Sequence, residues 1–245
     1  MVKHPLAVKR FLFALAVFLA ALGARSVRAQ DTARAASEDR ARVLAREAVE
    51  SFREGEAAGA AEDKLRAYRK GEELAEKAVK LDPASAEAHW ALFANRGRRL
   101  LSEGATPNPF ALRRLQKELE QCLALDPRHY DALVARGGLY RQLPWLLGGN
   151  LKKAEKTLRR AVAINPEAVG GRLELARTYI DMGNRRRAVE VLEEALFWAE
   201  RLGRPKETAE ARALLYEVLG EEARDLVPPE CPAAPQPVSS LARTF

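Results

Sequence analysis

VGGRLELARTYIDMGNRRRAVEVLEEALFWAER, residues 169–201, is the stretch that decides how this chain folds. Two helical runs flank a turn at Gly183. Leu175, Ala176 and Tyr179 share one helical arc in the first run. Ala188, Leu192 and Ala195 share one in the second, at spacings of four and three. Alanine at 188 and 195 lets helix backbones approach closely, while Tyr179 and Leu192 fill the space between helices. A single such pair cannot bury its apolar face, so it needs neighbours built the same way.

Those neighbours are present upstream. AEKAVKLDP (75–83), ELEQCLALDP (118–127) and RRAVAINP (159–166) are three helix ends with the same small-or-apolar spacing. Each is stopped by a proline, which cannot continue a helix. The prolines Pro83, Pro127 and Pro166 lie 44 and 39 residues apart. Gly137, Tyr140, Ala154, Leu158, Ala161 and Pro166 repeat the pattern with five extra residues between helices. Leu92, Leu119, Cys122 and Pro127 repeat it with ten extra. Gly71, Ala75, Ala78 and Pro83 fit only in a second helix. Ser37 is read as the cap of a helix running to about Ser51, and Asn150 as the cap of the helix from Leu151. Residues 205–225 form a last helix with the stripe Ala211, Leu214, Leu215, Val218 and Leu219.

These residues resemble the tetratricopeptide repeat, a helix–turn–helix unit of 34 residues. The resemblance covers about residues 37–200. It implies an all-α, right-handed superhelical stack of about four antiparallel helix pairs, with residues 205–225 as the capping helix. It also implies a non-catalytic scaffold for a protein or peptide partner. First helices line the concave face in such stacks, so Glu87, Trp90, Asp131, Val134, Gly138, Arg141, Leu173 and Arg177 are the candidate groove residues. The clamp that some of these repeats use on acidic C-termini needs Lys and Asn there. Val134, Gly138, Leu173 and Arg177 do not supply it.

A narrower resemblance is to the T-component of TRAP transporters, periplasmic helical-repeat proteins that associate with a substrate-binding protein. It rests on His89-Trp90, the helix ending LALDP, the segment Leu143-Pro144-Trp145-Leu146-Leu147-Gly148-Gly149-Asn150, and the Ala154/Ala161 helix after it. The sequence departs from that group in lacking its lipoprotein cysteine. The Leu143–Asn150 segment places four large apolar side chains in a connection that should be polar. Trp145 is therefore a candidate partner contact. The expectation is that the cluster tucks back over the repeat core, with an exposed binding patch as the alternative.

Composition agrees with a helical globular chain. Of 245 residues, 45 are alanine and 34 leucine, both strong helix formers. The net charge is +7, but Lys3, Lys9, Arg10, Arg25 and Arg28 lie in residues 1–29, which carry no acid, so the remainder is only +2. That argues against nucleic acid as a partner. Residues 11–24, FLFALAVFLAALGA, are too short for a comfortable bilayer span of ~20 residues. With the basic start and Val27-Arg28-Ala29 before Gln30, they read as a secretory signal cleaved after Ala29. The expected product is periplasmic or secreted, with no membrane span after cleavage. An uncleaved N-terminal anchor facing the periplasm is the alternative. Residues 30–36 are read as a linker and 226–245, with five prolines, as a disordered or extended tail.

The search for chemistry finds little. No HExxH, GxSxG, phosphate-loop or GxGxxG pattern occurs, and no catalytic, cofactor-binding or metal-ligating set stands out. His89 reads as a packed histidine and His129 as a surface turn residue. Cys122 takes a small-residue packing position. Cys231 lies in the tail, and a bridge between the two needs the tail to dock. Arg185-Arg186-Arg187 reads as a solvated helix start.

Overall fold

The computed structural model describes residues 5–104 and 108–220, with side chains described from Asp31 onward. Residues 1–29, read from the sequence as a signal, Cys231 and the Pro-rich segment 226–245 lie outside the described side chains. The chain divides into two compact units, Met1–Leu125 and Asp126–Phe245.

The first unit contains α1 (Pro5–Ala57), α2 (Ala61–Leu81), α3 (Ala86–Ser102) and α4 (Pro109–Leu125). The second contains α5 (Tyr130–Gln142), α6 (Leu151–Ile164), α7 (Val169–Asp181), α8 (Arg185–Arg201) and α9 (Pro205–Leu219). A short 3-10 turn, Trp145–Leu147, joins α5 to α6. No strand occurs among the described residues. The architecture is all-α and made of helix pairs followed by a last single helix.

The Asp-Pro stops have a local cause. Asp82 Oδ1 accepts from the Ala84 N–H at 2.9 Å, and Asp126 Oδ1 from the Arg128 N–H at 2.8 Å. These side chains substitute for the next helical bond just where proline removes a donor. The following helices are capped at once. Ser85 accepts from Ala88 N–H, and His129 Nδ1 accepts from Ala132 N–H. His129, expected as a plain turn residue, is thus the N-cap of α5.

Small residues set the packing distance in both units. Ala45 and Ala48 of α1, Ala75 and Ala78 of α2, and Ala88 and Ala91 of α3 are fully buried against one another. Asn95 continues that stripe, its Nδ2 donating to the Ala48 and Ala91 carbonyls at 2.9 Å each. Its amide lies so close to Gly71 that a Cβ there would sit 2.1 Å from Asn95 Oδ1. In the second unit Gly137 leaves room for Leu158 in the same way, at 2.4 Å. Leu158, Leu175, Tyr179 and Ala188 form one cluster. Leu173, Ala176, Leu192, Ala195, Ala199, Ala211 and Leu215 form another, which seats α9 on α7 and α8.

Three boundaries differ from the sequence reading. Residues 31–36 belong to α1 rather than to an irregular linker, because Thr32-Ala33-Arg34-Ala35-Ala36 holds strong helix formers and no breaker. Ser37 therefore caps nothing; it lies inside α1 and donates its Oγ–H to the Leu81 carbonyl at 3.0 Å. The last helix ends at Leu219 rather than 225, because Gly220 turns to φ +62°.

Candidate functional site

In the second unit the first helices of successive pairs are neighbours: α7 packs against both α5 and α9. Their common face carries a row of ion pairs. Arg141 of α5 reaches Glu174 at 3.4 Å and Asp181 at 3.1 Å, both on α7. Arg177, one turn beyond Glu174, bonds it at 2.9 Å and also pairs with Glu210 of α9. Arg141 to Glu174 and Arg177 to Glu210 are each 33 residues apart, one residue short of the 34-residue repeat. The repeat itself therefore places unlike charges side by side on adjacent helices.

The floor under this row is apolar and fixed. Leu173 is 3% exposed within the α7–α9 core. Gly138 is buried beside Glu174, and a Cβ there would lie 3.5 Å from Glu174 Oε2. Val134 packs against the Leu158–Leu175 cluster. Half-buried ionic side chains on such a floor lose rotamer freedom, which prepares them for a complementary chain.

The predicted groove residues thus separate into groups. Arg141 and Arg177 belong to the row, and Asp131 is exposed in the first turn of α5. Leu173, Gly138 and Val134 form its support rather than its surface. In the first unit Glu87 is exposed at the start of α3, but Trp90 is only 9% exposed and stacks on Phe93 at 5.7 Å. Trp90 does not present a ring to solvent, because α3 is covered over most of its circumference. Glu174, Asp181 and Glu210 were missed; the 33-residue spacing from Arg141 and Arg177 is the signal that finds Glu174 and Glu210.

The first unit has its own charged junction. Glu72 of α2 binds Arg96 at 2.7 Å and Arg99 at 2.5 Å, both on α3. Burial acts to raise the Glu72 pKa, yet the bonds from Arg99 and Arg96 outweigh it and hold it below the ordinary carboxylate value. His89 is buried between Glu118 of α4, 2.7 Å from Nδ1, and the Pro83 carbonyl, 3.0 Å from Nε2.

The Leu143–Asn150 connection is the second exposed feature, and it corrects the tucked-in expectation. Trp145 is 80% exposed, Leu146 73% and Leu147 40%. The backbone instead satisfies itself. Gly148 N–H donates to Trp145, Leu147 and Gly149 N–H both donate to Pro144, and Asn150 N–H donates to Tyr140. Gly148 sits at φ +98°, and a Cβ on Gly149 would lie 1.7 Å from the Leu143 carbonyl oxygen. This closure turns the three apolar side chains outward. Asn150 caps α6 as expected, accepting from Lys153 N–H at 2.9 Å.

Among the described residues no group of three or more His, Cys, Asp or Glu is placed to hold a metal ion. Among them, too, no helix is long and apolar enough to cross a membrane.

The tetratricopeptide-repeat family model matches residues 146–201. No curated protein matches the chain. Among solved structures, PilF of Pseudomonas aeruginosa aligns at 22% identity with a TM-score of 0.53, over 79% of this chain and 76% of that one. A tetratricopeptide-repeat protein of Thermus thermophilus aligns at 20% identity with a TM-score of 0.44, over 73% of this chain and 96% of that one. The likeness to PilF is one of fold. With Leu175, Tyr179, Ala188 and Leu192 packed as the repeat requires, residues 146–201, the segment that the family model matches, are built as a tetratricopeptide repeat.

Proposed function

We propose that the chain is an exported, non-catalytic scaffold that holds a protein or peptide partner along the first helices of its second unit. The observation that carries this reading is the row Arg141–Glu174–Arg177–Glu210, which crosses three successive first helices on an apolar floor. Such a row offers alternating charges at fixed spacing, and an extended partner can exchange its own charges with them. The tetratricopeptide-repeat fold supports an interaction role of this kind. The resemblance to the T-component of TRAP transporters adds a more specific reading, in which the partner is a transporter's substrate-binding protein. That resemblance rests partly on the Pro…Gly-Gly pattern of Leu143–Asn150, and the closed Gly148-Gly149 turn there is in keeping with it.

The test is site-directed photo-cross-linking in the native envelope, followed by mass spectrometry. A cross-linker at Asp181 is expected to capture a defined partner, and adding Arg177→Glu is expected to reduce that capture at least several-fold. Equal capture with and without Arg177→Glu removes the first-helix face from the reading. Recovery of a substrate-binding protein selects the transporter form.

A further inference from the structure

The opposite side of the second unit carries a feature that partner binding on the first helices leaves unused. Helix α6 buries Ala154, Leu158 and Ala161. At 100° per residue the far arc holds Lys152, Lys153, Lys156, Arg159 and Arg160, all exposed. Arg185, Arg186 and Arg187 open the neighbouring second helix, α8, and are exposed as well. The two sets are continuous, because Arg159 and Arg187 line one shallow depression with Tyr179. Among the described residues, Glu155 and Glu190 pair with cations of this face. Glu155 lies 3.1 Å from Arg187, and Glu190 lies 3.7 Å from Arg186. The charge is thus concentrated where a low overall net charge gives no reason to expect it.

The turn that exposes Trp145, Leu146 and Leu147 leads directly into this helix, with Leu147 five residues before Lys152. Its backbone is closed by its own hydrogen bonds and by the Gly149 approach, so the apolar side chains are held outward. A Trp-Leu-Leu projection beside an exposed cationic helix face has two needs: an apolar medium a few ångströms deep and anionic groups at its edge. A bilayer interface supplies both, with acyl chains for the ring and leucines and phosphates for the cations. A protein partner would need a matching pocket for a convex projection together with an acidic plane around it.

We propose that the Trp145–Leu147 turn and the cationic face of α6 and the α8 start dock the chain on an anionic phospholipid surface. The first helices are then left free for the partner.

The full chain also carries the apolar residues 11–24, so the readout must report on Trp145 itself. The chain is mixed with vesicles of phosphatidylglycerol and phosphatidylcholine bearing brominated acyl chains, and with brominated phosphatidylcholine alone. The quenching in the parent chain minus that in Trp145→Phe isolates Trp145. Trp145-specific quenching is expected with the anionic vesicles only, weakening as salt rises. The triple variant Lys152→Glu, Lys156→Glu and Arg159→Glu is expected to lower partitioning by more than about 100-fold. Its far-UV circular dichroism checks the fold, and Lys152→Gln with Lys156→Gln gives a milder version of the same comparison. Vesicle binding without quenching at Trp145 overturns the proposal in favour of the N-terminal segment alone. A Trp145 response to soluble poly-glutamate without one to vesicles overturns it in favour of an acidic protein partner. Neither result bears on cross-linking at Asp181, so this proposal and the scaffold reading fail separately.

Discussion

Ala188 shows how a single residue type encodes packing distance here. It is fully buried in the cluster of Leu158, Leu175 and Tyr179. Three further carbons have nowhere to go without displacing that cluster. Ala188→Leu is expected to cost ~1–3 kcal/mol through overpacking, read as a lower urea midpoint with an unchanged slope. The position was legible from spacing alone, because small and apolar residues at i, i+4 and i+7 mark close helix contact.

His89 was legible only as a packed histidine; its partners were not. The Pro83 carbonyl can only accept, so Nε2–H donates to it, and in the protonated ring Nδ1–H donates to the Glu118 carboxylate. The Glu118 bond raises the His89 pKa above the ordinary 6.5, against the lowering effect of burial, and the Pro83 bond adds to the rise. A folded-state value above the unfolded one means that this pair stabilises fully below pH 6.5 and loses that effect as pH climbs through the raised value. The urea midpoint is expected to decline as pH rises above 6.5, and His89→Gln to flatten that decline. An NMR titration placing the His89 pKa at or below 6.5 contradicts this account.

At the scale of elements, the connection between α5 and α6 is where sequence and structure part most clearly. Its composition predicts a cluster that hides, since exposed apolar groups gain nothing from folding. The backbone outcome is decided by Gly148, Gly149 and Asn150, whose bonds close the turn before any side chain can fold back. Two measurements follow. Trp145→Ala is expected to leave stability within about 0.5 kcal/mol, as an exposed surface change does. Gly149→Ala is expected to open the turn, because its Cβ meets the Leu143 carbonyl oxygen and not a movable side chain. That opening would appear as a lower melting temperature and a change in Trp145 emission. Equal thermal midpoints for Gly149→Ala and the parent would show that the turn is not closed in this way.

For the whole molecule, export is the reading with the sharpest consequence. The side chains of residues 31–36 are exposed, and among the described side chains of α1 the first fully buried one is Ala41. Cleavage after Ala29 therefore removes none of the described core. N-terminal sequencing of the envelope-fraction protein is expected to begin at Gln30. A chain beginning at Met1 in the cytoplasm defeats that reading, and with it the choice of envelope for finding the partner.

By itself the sequence determined the helices, their pairing and the stops between them. Those features depend on propensity, proline, Asp and Asn chemistry, and the spacing of alanines, all of which act within a few residues. The sequence also marked Arg141 and Arg177 as first-helix residues. Tertiary structure alone decided what each helix arc meets. It buried Trp90 and Leu173, joined Arg141 to Glu174 and Arg177 to Glu210, and left Trp145 and the cations of α6 in solvent. The physical reason is range. Helical phase is fixed by neighbours three and four positions away, but exposure is fixed by the next pair, a whole repeat further along the chain.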